Sequence, residues 1–180
     1  MKSRVEFSPA GLKRAGELID KYEADLKRRV AELVNELAEV GRESADKAFA
    51  TADYDGTNDV VVSVKKSGSD KREISAKVIA SGASVLFIEF GTGVFYSDPS
   101  MTHPLADEFG YTRGGYGYHL GLQESWRYRG NPGTNGVLIN SPGSRYDGYV
   151  LTHGNPANRC MYNAAALIRD NVRETAERIF

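Results

Sequence analysis

The chain has 180 residues and a net charge of -1, with 26% charged and 41% hydrophobic side chains, close to an ordinary globular domain. Near-neutrality excludes a general electrostatic pull toward nucleic acid or anionic membrane, and a single cysteine, Cys160, excludes an internal disulfide framework. No apolar run approaches the roughly 20 residues of a membrane span, and the opening MKSRVEFSPAG lacks the apolar block of a secretory signal. The expectation is one soluble domain, residues 1–180, made in a reducing cytoplasm and touching no membrane.

The first element predicted is a helix over about 8–50. Ser8-Pro9 supplies a capping oxygen and a proline at the first helical position. Leu12, Leu18, Ile19, Tyr22, Leu26, Val30, Leu33, Val34, Leu37 and Val40 then recur at three- and four-residue steps. Unbroken, such a helix is roughly 60 Å long, beyond the about 40 Å width of a compact domain this size. It therefore either bends near Gly41 or projects an end toward another molecule.

Strands are expected over about 59–91. DVVVSVKK (59–66) and REISAKVIA (72–80) are rich in β-formers and separated by a polar turn. VLFIEFG (85–91) reads as a third strand, apolar on both faces, with Glu89 as its one charge. A half-buried carboxylate there must find a donor, and a nearby arginine is the expected partner. Three strands with short links predict an antiparallel meander under the long helix.

Residues 92–154 read as a loop-rich excursion. Of the 19 glycines 13 fall between Gly91 and Gly154, along with seven tyrosines and the only tryptophan, so regular structure is sparse and aromatic anchors are dense. Short strands are expected around Trp126-Arg127-Tyr128 and around Tyr149-Val150-Leu151. Aromatic and arginine anchors in a long ordered loop resemble a contact surface. Trp126, Arg127, Tyr128 and Glu89 are the candidate subunit-interface residues. A closing helix over about 156–180 follows from the spacing of Met161, Ala165, Ile168, Val172, Ala176 and Ile179. The fold class expected is α+β, with long N- and C-terminal helices packed on a mainly antiparallel sheet.

Catalytic signatures are sparse. His103, His119 and His153 form no HxH or HxxxH pair, and no Cys-x-x-Cys exists, so metal-ligand spacing is lacking. A site assembled from loops would draw on Glu89, Asp98, His103 and His119 as a metal-assisted hydrolase. Cys160, ahead of an apolar helix face, reads as a small buried side chain; a nucleophilic role would need a positioned histidine, and His153, seven residues away, has nothing else to support the pairing. RGGYGYHLG (113–121) follows no phosphate-loop spacing. With Arg113, Arg127, Arg129 and the tyrosines it outlines an alternative DNA-binding module. No catalytic residue, cofactor or metal is assigned.

Three motifs in order carry a resemblance. These are FIEFGTG at Phe87 to Gly93, then Trp126-Arg127-Tyr128, then a run opening the final helix through Thr152, Gly154, Pro156, Ala157, Met161 and Ala164. Behind a long N-terminal helix, they resemble the neck or tail-completion proteins of long-tailed bacteriophages and prophages, also labelled putative tail components or minor capsid proteins. TADYDGTND at Thr51 to Asp59 departs from the Ala-Pro…Thr-Gly turn of many members. The resemblance implies a non-enzymatic virion protein at the head–tail junction, assembled in the host cytoplasm. It also implies a homo-oligomeric ring, sixfold by the resemblance, with head-completion or adaptor and tail-terminator or tail-tube neighbours. DNA would pass through the lumen without specific binding, which near-neutral charge suits.

Overall fold

A computed structural model describes residues 7–67, 73–93, 98–111 and 124–180. Helix α1 runs Pro9–Ala50 as one element of 42 residues. Its first turn is capped by the Ser8 hydroxyl, which accepts from the Gly11 N–H at 3.1 Å. The helix continues through Gly41 as a single element, and its N-terminal half is left exposed. Strand β1 (Val61–Lys66) pairs antiparallel with β2 (Ala76–Ser81), from Val61 opposite Ser81 to Lys66 opposite Ala76. Helix α3 (Cys160–Ile179) closes the chain. The architecture is α+β, two long helices with small antiparallel sheets, as expected.

Only the second half of α1 is packed. Leu37, Ala38, Gly41, Ala45 and Phe49 are its buried residues, and they face α3 and the β1–β2 hairpin. Ala45, Phe49, Val62, Ile88, Cys160 and Ala164 form the core, so every long element contributes to it. Where the last turn of α3 meets α1, Arg29 Nη1 donates to the Ile179 carbonyl at 2.9 Å and Arg178 pairs with Glu36. Upstream of Arg29 the apolar stripe of α1 is uncovered, and Leu12, Leu18, Ile19 and Tyr22 are 57–69% exposed.

One expectation is corrected. Val85–Phe90 is not a third strand but a short helix, α2, so the meander reduces to a hairpin. An apolar run of six fits either conformation by periodicity, and the ends decide. The Asp59 carboxylate accepts from the Ala83 and Ser84 N–H groups at 2.8 and 2.9 Å, satisfying donors at the start of the helix. At the other end Gly91 sits at φ +76°, a conformation that stops a helix and favours glycine. The helical face then buries Ile88 and Glu89 while leaving Leu86 and Phe87 exposed.

The excursion is also more structured than its composition suggests. β3 (Trp126–Tyr128) and β5 (Val150–Thr152) form where short strands were expected, and β4 (Val137–Leu138) joins them in a sheet ordered β3-β5-β4.

At Gly41 a Cβ would collide with the Ile168 side chain, standing 2.9 Å from its Cγ1 and nearer still to its Cδ1. The glycine sets how closely α1 and α3 approach. Gly41→Val should overpack this crossing by about 2 kcal/mol, outweighing its gain in helix propensity. For a chain of this length that lowers Tm by roughly 4–8 °C in a thermal melt. An unchanged Tm would mean the helices have room to spare.

Candidate functional site: an interlocked junction beside an aromatic cleft

Glu89 lies on α2, 5% exposed, with its carboxylate aimed at the start of α3. Oε2 accepts from the Met161 N–H at 2.8 Å and Oε1 from the Tyr162 N–H at 2.9 Å. These are the second and third residues of α3, whose own N-cap, Arg159, offers no side-chain bond. A carboxylate 72 residues earlier in sequence thus takes the place of an N-cap and complements the positive end of the helix dipole. Its third donor is His103, Nε2 to Oε1 at 3.1 Å. The Leu105 N–H donates to His103 Nδ1 at 3.0 Å, which leaves the ring proton on Nε2, facing Glu89. Phe90 and Tyr162 close over the imidazole, with centroids at 4.3 and 5.3 Å. The arginine partner expected for Glu89 is therefore replaced by one histidine and two amides, and the group faces into its own subunit.

The FGTG turn and the run before α3 are locked together by backbone contact. Thr92 N–H donates to the Asn155 carbonyl at 2.7 Å, and Asn155 Nδ2 donates to the Phe87 carbonyl at 2.8 Å. Asn158 and Arg159 N–H groups donate to the carbonyls of Ile88 and Glu89. A Cβ on Gly93 would collide with the His153 carbonyl oxygen, and one on Gly154 with that of Thr92. Both glycines have positive φ, so the close approach and the backbone conformation impose the same residue. Arg159 holds a left-handed φ of 56° and places Nη2 2.6 Å from the carbonyls of Ser100 and Thr102. The first and third motifs are the two halves of one joint.

Beside this joint lies a cleft of about 380 Å³, walled by Tyr54, Asp55, Trp126, Tyr128, Arg129 and Asn131. Trp126 and Tyr128 point there from β3, pinned by pairing with Thr152 and Val150. Two polar groups of its lining are engaged within the chain. Asp55 accepts from the Thr152 hydroxyl and from the Asn135 N–H, and Tyr128 donates to the Asn131 carbonyl. Burial first, and the Asp55 carboxylate second, hold the Tyr128 phenol above its ordinary pKa, so it stays protonated. Arg127 and Arg145 both stack on Tyr146 at 4.5 Å, and Arg129 on Tyr149 at 4.8 Å. Aromatic rings and stacked guanidinium groups shape the surface here.

Of the hydrolase set, the structure unites Glu89 and His103 only. Asp98 bonds instead to the Ser100 amide and hydroxyl, and His119 lies outside the described residues, as do Arg113 and the segment RGGYGYHLG. Among the described residues no cluster of three His, Cys, Asp or Glu side chains is arranged to hold a metal, and no helix is long and apolar enough to cross a membrane. Burial, and secondarily Glu89, push the Cys160 thiol up to about 12; at neutral pH it is a protonated core side chain. His153 instead sets Nδ1 2.8 Å from the Glu124 carbonyl. Sequence reasoning missed Asn155 and Asn158, whose signal was an unpaired Asn-Pro-Ala-Asn run ahead of an uncapped helix. No family model, curated protein or solved structure matches the chain.

Glu89→Ala removes the shared acceptor of His103 and two α3 amides, leaving buried donors unpaired; we expect a loss of about 3–5 kcal/mol. Glu89→Gln retains one acceptor and should lose less, which urea unfolding of the two variants would compare. Equal midpoints for both variants and wild type would remove Glu89 from its role.

A pH effect is expected at the other end of α2. Hydrogen bonds from the Ser84 hydroxyl and amide, then the Ala83 amide, lower Asp59 from 3.8 to about 2. A carboxyl depressed on folding favours the native state above its unfolded pKa, and that contribution disappears as pH falls through the folded value. Between pH 4 and 2, Asp59→Asn should therefore lose less stability than wild type; parallel acid-denaturation curves would contradict this assignment.

Proposed function

We propose that the chain is a structural protein of a phage virion, acting at the neck or tail top and joining head to tail through protein–protein contacts, without catalysis. The observation that carries this reading is the bare half of α1. A stripe of large apolar side chains on an exposed half of a helix is a surface made to be covered by protein. Two further features support it. The FIEFGTG motif and the run before α3, on which the family resemblance rests, serve here as scaffold, with their reactive-looking side chains consumed in one joint. Trp126, Arg127 and Tyr128 stand on an edge strand beside an aromatic cleft in which Asp55 and Tyr128 are already paired, a surface suited to an aromatic insert from a neighbour. Head-to-tail contacts of this kind close into a ring, for which sixfold symmetry is the proposal, with head-completion and tail-terminator or tail-tube proteins on either side and DNA in the lumen.

Deleting the gene from its phage should leave filled heads and finished tails unjoined in electron micrographs, and Trp126→Ala should reproduce that defect while far-UV circular dichroism keeps its helical signal. Normal particles from the deletion would end the proposal. Loss of fold in Trp126→Ala would assign the indole to the core instead.

A further inference from the structure

We infer that the aromatic cleft of one copy receives the Asp107-Glu108-Phe109 knob of a second copy, its two carboxylates meeting Arg127, Arg129 and Arg145. This rests on the reading of the cleft as a seat for a neighbour's aromatic side chain, and it names that side chain.

The knob is held in place by its own subunit but not covered. In the turn after His103 the Phe109 N–H donates to the Leu105 carbonyl at 3.1 Å, and the Tyr111 N–H to the Ala106 carbonyl at 2.8 Å. The Phe109 ring leans on Phe90 with centroids 6.0 Å apart, yet remains 57% exposed. An aromatic fixed in advance loses little freedom on binding. Asp107 and Glu108 are exposed beside it and are the only two consecutive acidic residues in the sequence. Among the described residues neither carboxylate has an ion-pair or hydrogen-bond partner. Residues 98–111 contain no lysine or arginine.

The cleft side carries the opposite charge. From Trp126 to Tyr149 the chain has three arginines and one acidic residue, Asp147, whose Oδ1 already accepts from the Ser141 N–H at 2.8 Å. All three guanidinium groups are exposed and stacked on tyrosine rings, and among the described residues none has a carboxylate partner. Stacking fixes a guanidinium by its face and leaves its N–H edge free for a carboxylate. Arg129 belongs to both parts of this surface. It walls the cleft and stacks on Tyr149, whose ring meets Tyr146 edge-on at 5.9 Å.

The occupant follows from charge. On α1 the carboxylates of Glu23, Asp25, Glu32, Glu39 and Glu43 are paired with basic residues of the same helix. Glu17 and Asp20, on its bare end, alternate with Lys13, Arg14 and Lys21. Asp107 and Glu108 are free, adjacent, and next to a large exposed ring, which matches a cleft with aromatic walls and unpaired arginines. Knob and cleft are different patches, so the contact is heterologous, the kind from which a ring closes.

Light scattering of the purified full chain should show a mass above the 19.7 kDa monomer, falling as salt screens the contact. Asp107→Lys/Glu108→Lys and Arg127→Glu/Arg145→Glu should each return it to the monomer with far-UV circular dichroism unchanged. Mixing the two charge-reversed chains should restore the wild-type mass, because every knob again faces a cleft of opposite sign. Phe109→Ala should weaken association at least about tenfold. A monomeric wild type, association that persists in Asp107→Lys/Glu108→Lys, or two folded variants that stay monomeric when mixed would each overturn the contact. If the arginine variant does not fold, the knob variant still decides, since its two carboxylates have no partner to lose. Association carried by another surface would discard this contact and leave the ring proposal in place, while the deletion phenotype reads the virion role separately.

Discussion

The fold depends on a carboxylate that caps a helix far from it in sequence. Helix α3 begins after a left-handed Arg159 with no capping side chain of its own, and its first amides turn inward, away from water. Left unpaired, each would cost on the order of 1–3 kcal/mol, a large share of a typical total stability of about 5–15 kcal/mol. Glu89 satisfies two of them, and His103 meets the same carboxylate from a third segment. One side chain thereby ties α2, the turn at His103 and α3 together. That is why the apolar run around Glu89 must be helical. The carboxylate reaches the α3 amides from the buried face it shares with Ile88, and Gly91 then stops α2 so that Thr92 can pair with Asn155.

How much of this was legible depends on the length over which a signal repeats. The helices at Pro9–Ala50 and Cys160–Ile179 announce themselves through many apolar steps, and the hairpin through β-branched residues on either side of a turn. Val85–Phe90 spans fewer than two helical turns, too few for its period to outweigh its β-like composition, and the deciding donor–acceptor pair involves Asp59, 25 residues away from Ser84. Strand β4 has two residues and no pattern at all. For the site, the need of Glu89 for a donor was visible, but the donor's identity was not. An arginine is the commonest partner of a carboxylate, yet here two donors are backbone amides, which no residue type advertises. Trp126 and Tyr128 were marked by composition, while the cleft they line exists only because β3 pairs with β5.

The joint also accounts for the glycines. Gly93 and Gly154 sit where two backbones come nearer than any side chain allows, and both adopt positive φ. Composition alone assigns such residues to flexible loops. In this chain they are among the more constrained positions, because a glycine that permits a close contact is no freer to change than a large side chain that makes one. The motifs around Glu89, Gly93 and Gly154 are thus, in physical terms, parts of a scaffold. A scaffold by itself specifies no function, so the weight of the functional reading falls on surfaces the scaffold leaves open.

Among those surfaces, the bare half of α1 is the one whose existence is hardest to explain without a partner. About 20 residues of isolated helix are marginal in water, and tertiary packing ordinarily supplies the difference. Here the segment is continuous with a packed half, which removes the nucleation cost, and ion pairs from Glu23 to Lys27, Asp25 to Arg28 and Arg29, and Arg28 to Glu32 add support. Each exposed pair contributes only a few tenths of a kcal/mol, and they cluster over residues 23–32, leaving the turns around Leu12 and Ile19 without them. Those turns are where the apolar side chains are most exposed. Helical order there is propagated from the packed half, and the segment stays helical with its apolar stripe uncovered.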